Sequence, residues 1–160
     1  MARLLIIGYG NPLRGDDGLG WRAAEDLARE FPNVNVEIRT CHQLVPEHVD
    51  LVSRAETTFF IDAAEDGEPG EVKCAPVAPQ RETSSSSHQL SPAAILAWSR
   101  ELYGRHPRGF ALSICGGCFE MGEKLSPAVA ASLPHLTALA RQMAHRLSRF
   151  SMPAPVRSDR

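Results

Sequence analysis

The sequence begins with a buried-strand pattern that runs directly into a glycine-rich loop carrying two adjacent aspartates. Residues 3–8 (RLLIIG) form a continuous apolar run that ends in glycine, which is typical of a strand covered on both faces. The loop GYGNPLRGDDG at 8–18 then leads into a helix predicted over 18–31, where apolar residues recur at helical spacing until Pro32. A strand, a loop and a helix in this order favour a fold built around a mainly parallel sheet.

The same alternation continues along the chain. Further strands are predicted at 34–40, 57–64, 71–77 and 109–117, and further helices at 46–55, 91–103 and 126–150. This order predicts an α/β fold, a three-layer αβα sandwich with a mostly parallel, twisted central sheet of about five strands. Residues 1–150 are expected to form a single domain and residues 151–160 a flexible tail.

Composition and charge exclude several classes of partner. With 17 Lys and Arg against 19 Asp and Glu, the net charge is −2 and no basic block stands out, so nucleic acid is not expected as a partner. The first apolar run is too short to span a membrane and lacks a secretory cleavage pattern. We therefore expect a cytoplasmic protein with no membrane partner. The four cysteines are expected to be reduced, because a chain of this size needs no disulfides.

Asp16 and Asp17 decide between two interpretations of the glycine-rich loop. A dinucleotide-binding loop needs a glycine at its sixth position so that the helix can pack on the strand, but counting from Gly8 that position is Leu13. Both carboxylates would also face the phosphates, and like charges a few Å apart cost on the order of several kcal/mol. A phosphate- or nucleotide-binding α/β enzyme is therefore the less favoured alternative. Asp16 equally fits the N-cap of the following helix.

Three side chains near the expected carboxyl edge of the sheet form a candidate metal site. Asp17 follows the first strand, Asp62 ends the buried run FFID, and His88 lies in a serine-rich loop just before a helix N-cap. Because sites in such sheets form beyond the carboxyl ends of the strands, these residues are candidates to meet there. Two carboxylates and one imidazole would leave open positions on a transition metal. The structural alternatives are a turn-forming aspartate at 62 and a solvated histidine at 88.

Four stretches of the sequence together match the pattern of a known family. They are GYGNPLRGDDGLG at 8–20, FFIDAA at 59–64, SHQLSP at 87–92 and FEMGEKLSPAV at 119–129. In this order, they resemble the hydrogenase maturation endopeptidases, which trim the C-terminal extension from the large subunit of nickel-iron hydrogenases. The resemblance covers residues 3–150. It implies a twisted sheet flanked by helices and a metal-contacting, catalytic set made of Asp17, Asp62 and His88.

The resemblance also implies a substrate that carries its own metal. The large-subunit precursor is the implied partner, and it arrives with nickel already in its cysteine-rich site. Asp17, Asp62 and His88 would recognise that nickel before cleavage, although the isolated protein would also accept another divalent metal. A noncatalytic nickel-binding chaperone for hydrogenase assembly is an alternative that keeps the same ligands. Neither a Gly-x-Ser-x-Gly nucleophile motif nor a His-Glu-x-x-His zinc motif is present.

Two smaller features leave alternatives open. His42 lies in a stretch that echoes the later His-Gln-Leu motif, and it is either an auxiliary ligand or a solvated loop residue. Cys115 and Cys118 have the Cys-x-x-Cys spacing of half a zinc site, but Cys41 and Cys74 supply no second pair. We expect the cysteine pair to pack at the end of a strand.

Overall fold

The computed structural model describes residues 3–32, 35–82 and 89–149. The strands are β1 (Leu4–Tyr9), β2 (Val36–Cys41), β3 (Thr57–Ala64), β4 (Val72–Val77) and β5 (Arg108–Cys115). The helices are α1 (Leu19–Ala28), α2 (His48–Ser53), α3 (Pro92–Tyr103) and α4 (Pro127–Arg149), and a short 3-10 turn at Gly15–Gly18 precedes α1. The tail predicted at 151–160 lies outside the described residues.

All five strands belong to one sheet, in the order β2-β1-β3-β5-β4. Of these strands, β4 alone is antiparallel to its neighbour, and it lies at an edge of the sheet. An edge position suits β4 because its Pro76 has no N–H to donate to a second neighbour. The predicted mostly parallel sheet of about five strands is confirmed.

Helices cover both faces of this sheet, which gives the predicted three-layer sandwich. Ile6 of β1 and Phe59 of β3 pack in a core with α1 and α4, while Ile7 and Phe60 pack in a second core with α2 and α3. Successive residues of each central strand therefore enter opposite cores, and this accounts for the continuous apolar runs in the sequence. No helix in the described ranges is long and apolar enough to cross a membrane.

The predicted ends of some elements shift by a few residues. The first helix ends at Ala28 and not at Phe31, because Pro32 disfavours a helical conformation in the residue before it. The last strand ends at Cys115, before the two glycines that the sequence pattern had included.

The register between β1 and β3 sets the position of the candidate site. Gly8 pairs with Ile61, so Tyr9 and Asp62, one residue further along parallel strands, lie at the same edge of the sheet. The start of α1 comes very close to this point, because a Cβ on Gly20 would lie only 2.5 Å from the Ile61 carbonyl oxygen. Close packing of helix on strand thus depends on Gly20, and no glycine is needed at the sixth loop position.

Candidate active site

Asp62 and Tyr9 line a cleft of about 670 Å³ at the carboxyl edge of the sheet. The segments 80–82 and 89–93, which lead into the start of α3, complete its lining. The Tyr9 hydroxyl donates a hydrogen bond to the Asp62 carboxylate, and the Ala63 N–H donates to Asp62 Oδ1 at 2.7 Å. Two donors therefore orient the carboxylate of Asp62 at the cleft.

The surroundings of Asp62 raise its pKa to about 7. Burial is the main cause, and the negative charges of Asp17 and Glu65 act in the same direction. The hydrogen bonds from Ala63 and Tyr9 lower the pKa and offset only part of this effect. A carboxyl group whose pKa lies near neutrality in a cleft is a candidate functional group, because it exchanges its proton readily near pH 7.

Asp17 lies in the 3-10 turn before α1, beside the glycine-rich loop. Its Oδ2 accepts a hydrogen bond from the Asn11 N–H at 2.7 Å. Gly10 has a φ of +132°, and a Cβ there would lie 2.0 Å from the Asp17 carbonyl oxygen, so the loop folds closely onto the turn. Asp17 lies close enough to Asp62 for its negative charge to raise the pKa of Asp62. An amide of the loop thus bonds a carboxylate of the same loop, which argues against the phosphate-binding alternative.

His88 lies outside the described residues, so its position relative to the carboxylates stays a prediction. The described chain resumes at Gln89, which lines the cleft together with Asp62. Ser91 then caps α3 as predicted, accepting a hydrogen bond from the Ala94 N–H at 3.1 Å. Over the ranges 3–32, 35–82 and 89–149, no group of three or more His, Cys, Asp and Glu side chains has an arrangement that could hold a metal ion.

Asp16 does not cap α1, contrary to one of the two roles considered for it. The N-cap position belongs to Gly18, and the Asp16 side chain turns away to a different part of the fold. It is fully buried and accepts hydrogen bonds from the N–H groups of Gly117, Cys118 and Ser126 and from the Ser126 hydroxyl, at 2.7–3.0 Å. Burial alone would raise the pKa of Asp16, but these hydrogen bonds outweigh it and hold the pKa below its ordinary value.

Trp21 joins two loops at this edge of the sheet. Its indole N–H donates to the carbonyl oxygens of Gly10 at 2.9 Å and Cys41 at 3.0 Å. The ring of His42, which is exposed, meets the Trp21 ring edge-on with the ring centroids 5.6 Å apart. His42 therefore has an aromatic contact, and a ligand role for it stays a prediction.

The cysteine pair at the end of β5 is divided between the interior and the surface. Cys115 is buried, and its S–H donates to the Asp66 carbonyl oxygen at 2.8 Å. Cys118 is exposed, and its N–H is one of the donors to Asp16. The expectation that the pair packs at a strand end therefore holds for Cys115, while Cys118 belongs to the loop that follows.

Sequence reasoning missed two residues that shape this region, Tyr9 and Ser126. Tyr9 and Asp62 both lie near the carboxyl ends of predicted strands, but their neighbouring position depends on the register of β1 against β3, which the structure supplies. The contact between Ser126 and Asp16 joins residues 110 positions apart, and no local pattern in the sequence predicts it.

Comparison with known proteins gives matches among solved structures. No protein-family model and no curated protein sequence matches the chain. The crystal structure of the NiFe hydrogenase maturation protease HycI from Thermococcus kodakarensis KOD1 superposes with a TM-score of 0.72 at 24% identity, over 90% of this chain and 93% of that chain. The hydrogenase maturating endopeptidase HybD from E. coli gives a TM-score of 0.76 at 22% identity, over 90% and 93% of the two chains. The solution structure of an endopeptidase from Escherichia coli gives 0.69 at 24% identity, over 99% of each. The chain shares the fold of these proteins.

Proposed function

We propose that this chain, which has the fold of the hydrogenase maturation proteases, is an endopeptidase that removes the C-terminal extension of a nickel-iron hydrogenase large-subunit precursor. The observation that carries the proposal is the neighbouring position of Asp17 and Asp62 at the carboxyl edge of that fold. Sheets of this kind bind their ligands at this edge. Asp62 also lines a cleft that is open to a substrate segment.

The nickel of the precursor is part of the substrate, and we propose that Asp17, Asp62 and His88 recognise it. The two carboxylates suit this role because burial and the charge of Asp17 disfavour the ionised form of Asp62, and a nearby cation would relieve that cost. Gln89, the residue after His88, lines the same cleft as Asp62. With an imidazole from this part of the chain, the two carboxylates would supply oxygen ligands and the imidazole a nitrogen ligand. Open positions would remain for the groups that already hold the metal in the precursor.

Selectivity for the loaded precursor follows from this arrangement. Without the cation, Asp17 and Asp62 repel each other, and Asp62 carries a proton for much of the time near pH 7. With nickel in place, both carboxylates become favourable partners of the substrate. The proposed role is therefore that of a checkpoint, which releases the C-terminal extension only after the metal has been inserted.

The test is incubation of the protein with nickel-loaded and nickel-free precursor, followed by mass spectrometry. We expect loss of a C-terminal peptide from the loaded form alone, abolished by His88→Ala and by Asp62→Asn. His135→Ala on the exposed face of α4 and Asp50→Asn on the exposed face of α2 are matched controls that should cleave normally.

Each contrary result has a distinct meaning. Cleavage of both precursor forms at equal rates would overturn nickel recognition. An unchanged precursor mass would overturn the peptidase activity, and a stable complex with the nickel-loaded precursor would then identify the protein as an assembly chaperone.

A further inference from the structure

The loop between β5 and α4 (residues 116–126, the β5–α4 loop) lies against the glycine-rich loop. The Gly15 N–H donates to the Gly122 carbonyl oxygen at 2.8 Å, and the Asp16 N–H donates to the Cys118 carbonyl oxygen at 2.9 Å. Gly15 has a φ of +55°, and a Cβ there would lie 2.6 Å from the Cys118 carbonyl oxygen. Main-chain hydrogen bonds and close packing therefore join two loops that are distant in sequence.

The side chain of Asp16 completes this connection. Oδ2 accepts from the N–H groups of Gly117 and Cys118 and from the Ser126 hydroxyl, and Oδ1 accepts from the Ser126 N–H. An ionised carboxylate offers acceptor sites on two oxygens, and here both oxygens are used. Loss of this fully buried acceptor would remove the side-chain partner of all four donors at once, so the conformation of both loops depends on it.

The position of Asp16 in the chain links this connection to the candidate site. Asp16 and Asp17 are consecutive residues of the same short 3-10 turn, and that turn has no side-chain cap of its own. The side-chain hydrogen bond described for Asp17 is the one from the Asn11 N–H. Asp16 itself is fully buried and does not line the cleft. The Asp16 side chain therefore makes no direct contact with a ligand in the cleft, and it can position one only through the backbone that it anchors.

We propose that Asp16 is a positioning residue, which anchors the turn Gly15–Gly18 to the β5–α4 loop and so fixes the Asp17 carboxylate beside Asp62. This inference rests on the proposed function, because it gives Asp17 a role toward the nickel of the precursor. Residues that orient a metal ligand through hydrogen bonds typically change metal affinity by about 10-fold to 100-fold when they are mutated.

The test uses nickel(II) alone as the probe, titrated calorimetrically into the full-length protein and its variants. Asp16→Asn keeps the size of the side chain but turns an N–H group toward the Ser126 N–H, and it should weaken nickel binding by about 10-fold. Ser126→Ala removes one of the four hydrogen bonds to Asp16, and it should also weaken nickel binding, but by less than Asp16→Asn does. Ser132→Ala is the matched control, because it removes a hydrogen bond from α4 to the Gly70 carbonyl oxygen that does not involve Asp16. Its nickel affinity should equal that of the wild type.

A second readout separates positioning from a general loss of stability. Bound nickel(II) broadens the NMR signals of nearby groups, so the Asp17 amide signal should broaden in the wild type and in Ser132→Ala. In Asp16→Asn, the Asp17 amide signal should broaden less than the Asp62 amide signal. If Asp16→Asn does not fold, Ser126→Ala decides the question.

Two outcomes distinguish failure of this inference from failure of the proposed function. In the first outcome, the wild type binds nickel and cleaves the loaded precursor, and Asp16→Asn and Ser126→Ala bind nickel with the same affinity as the wild type. This result would overturn the positioning role alone. In the second outcome, the wild type neither binds nickel nor cleaves the precursor. This result would overturn the proposed function together with this inference.

Discussion

The Tyr9 hydroxyl donates a hydrogen bond to the Asp62 carboxylate where β1 and β3 end side by side. This bond favours the ionised form of Asp62, while burial favours the protonated form. The balance leaves the pKa of Asp62 at about 7. Asp62 is thus held in a state in which a nearby cation or a small change of pH decides its charge.

Replacement of Tyr9 by Phe removes this donor and keeps the ring. The pKa of Asp62 should rise further, because a hydrogen bond to a charged group is worth about 1.5–3 kcal/mol and here stabilises the carboxylate. A pH titration of the Asp62 carboxyl carbon by NMR measures the change. Tyr103→Phe at the exposed end of α3 is the control and should leave the titration unaltered. An Asp62 pKa that stays the same or falls in Tyr9→Phe would contradict the assigned hydrogen bond.

Asp62 should make the stability of the protein depend on pH. Its pKa is about 3.9 in an unfolded chain and about 7 in the folded state, so the folded state binds the extra proton between these values. The resulting stabilisation is complete below pH 4 and is lost as the pH rises through 7. Relative to Asp62→Asn, which does not titrate, the wild type should lose on the order of 4 kcal/mol between pH 4 and pH 8.

Urea denaturation of both proteins across this pH range, without divalent metal, measures the difference. Asp50→Asn, at an exposed position on α2, is the control and should keep a nearly constant offset from the wild type. A constant offset for Asp62→Asn as well would mean that the pKa of Asp62 is not raised.

Gly10→Ala tests how closely the glycine-rich loop folds onto the Asp17 turn. The φ of +132° and the 2.0 Å approach to the Asp17 carbonyl oxygen should together destabilise the fold by about 3 kcal/mol or more. Gly104 also has a positive φ, of +63°, but open space around it, so Gly104→Ala should cost only about 1 kcal/mol. Urea denaturation measures the free energy of unfolding of both variants. If Gly10→Ala and Gly104→Ala lose the same free energy, the close approach at Gly10 adds nothing to the effect of φ.

The fold could be predicted because its signals are local. Pairs such as Ile6 and Ile7 give β1 an unbroken apolar run because the two side chains enter opposite cores. The sequences Ser91-Pro92 and Ser126-Pro127 similarly precede the first residues of α3 and α4. These patterns depend on nearest neighbours along the chain, and they are sufficient to fix the element order.

The site was only partly predictable because its contacts join distant segments. The rule that sites form beyond the carboxyl ends of parallel strands predicts that Asp17 and Asp62 lie at one edge of the sheet, and the charge of Asp17 does act on Asp62. The roles of the two adjacent aspartates could not be separated in the same way. Asp16 turns inward to Ser126, and Asp17 lies beside the glycine-rich loop, a difference that only the three-dimensional fold determines.

Contact between Asp17, Asp62 and the nickel of the precursor is tested most directly by X-ray absorption at the nickel edge. Nickel-loaded precursor is mixed with the protein and frozen within the first turnover. We predict that nickel gains more oxygen and nitrogen ligands with the wild type than with a variant carrying both Asp17→Ala and Asp62→Ala, in which His88 alone of the three proposed ligands remains. Nickel coordination that is the same in both mixtures, while the wild type cleaves the precursor, would contradict recognition of the metal by these carboxylates.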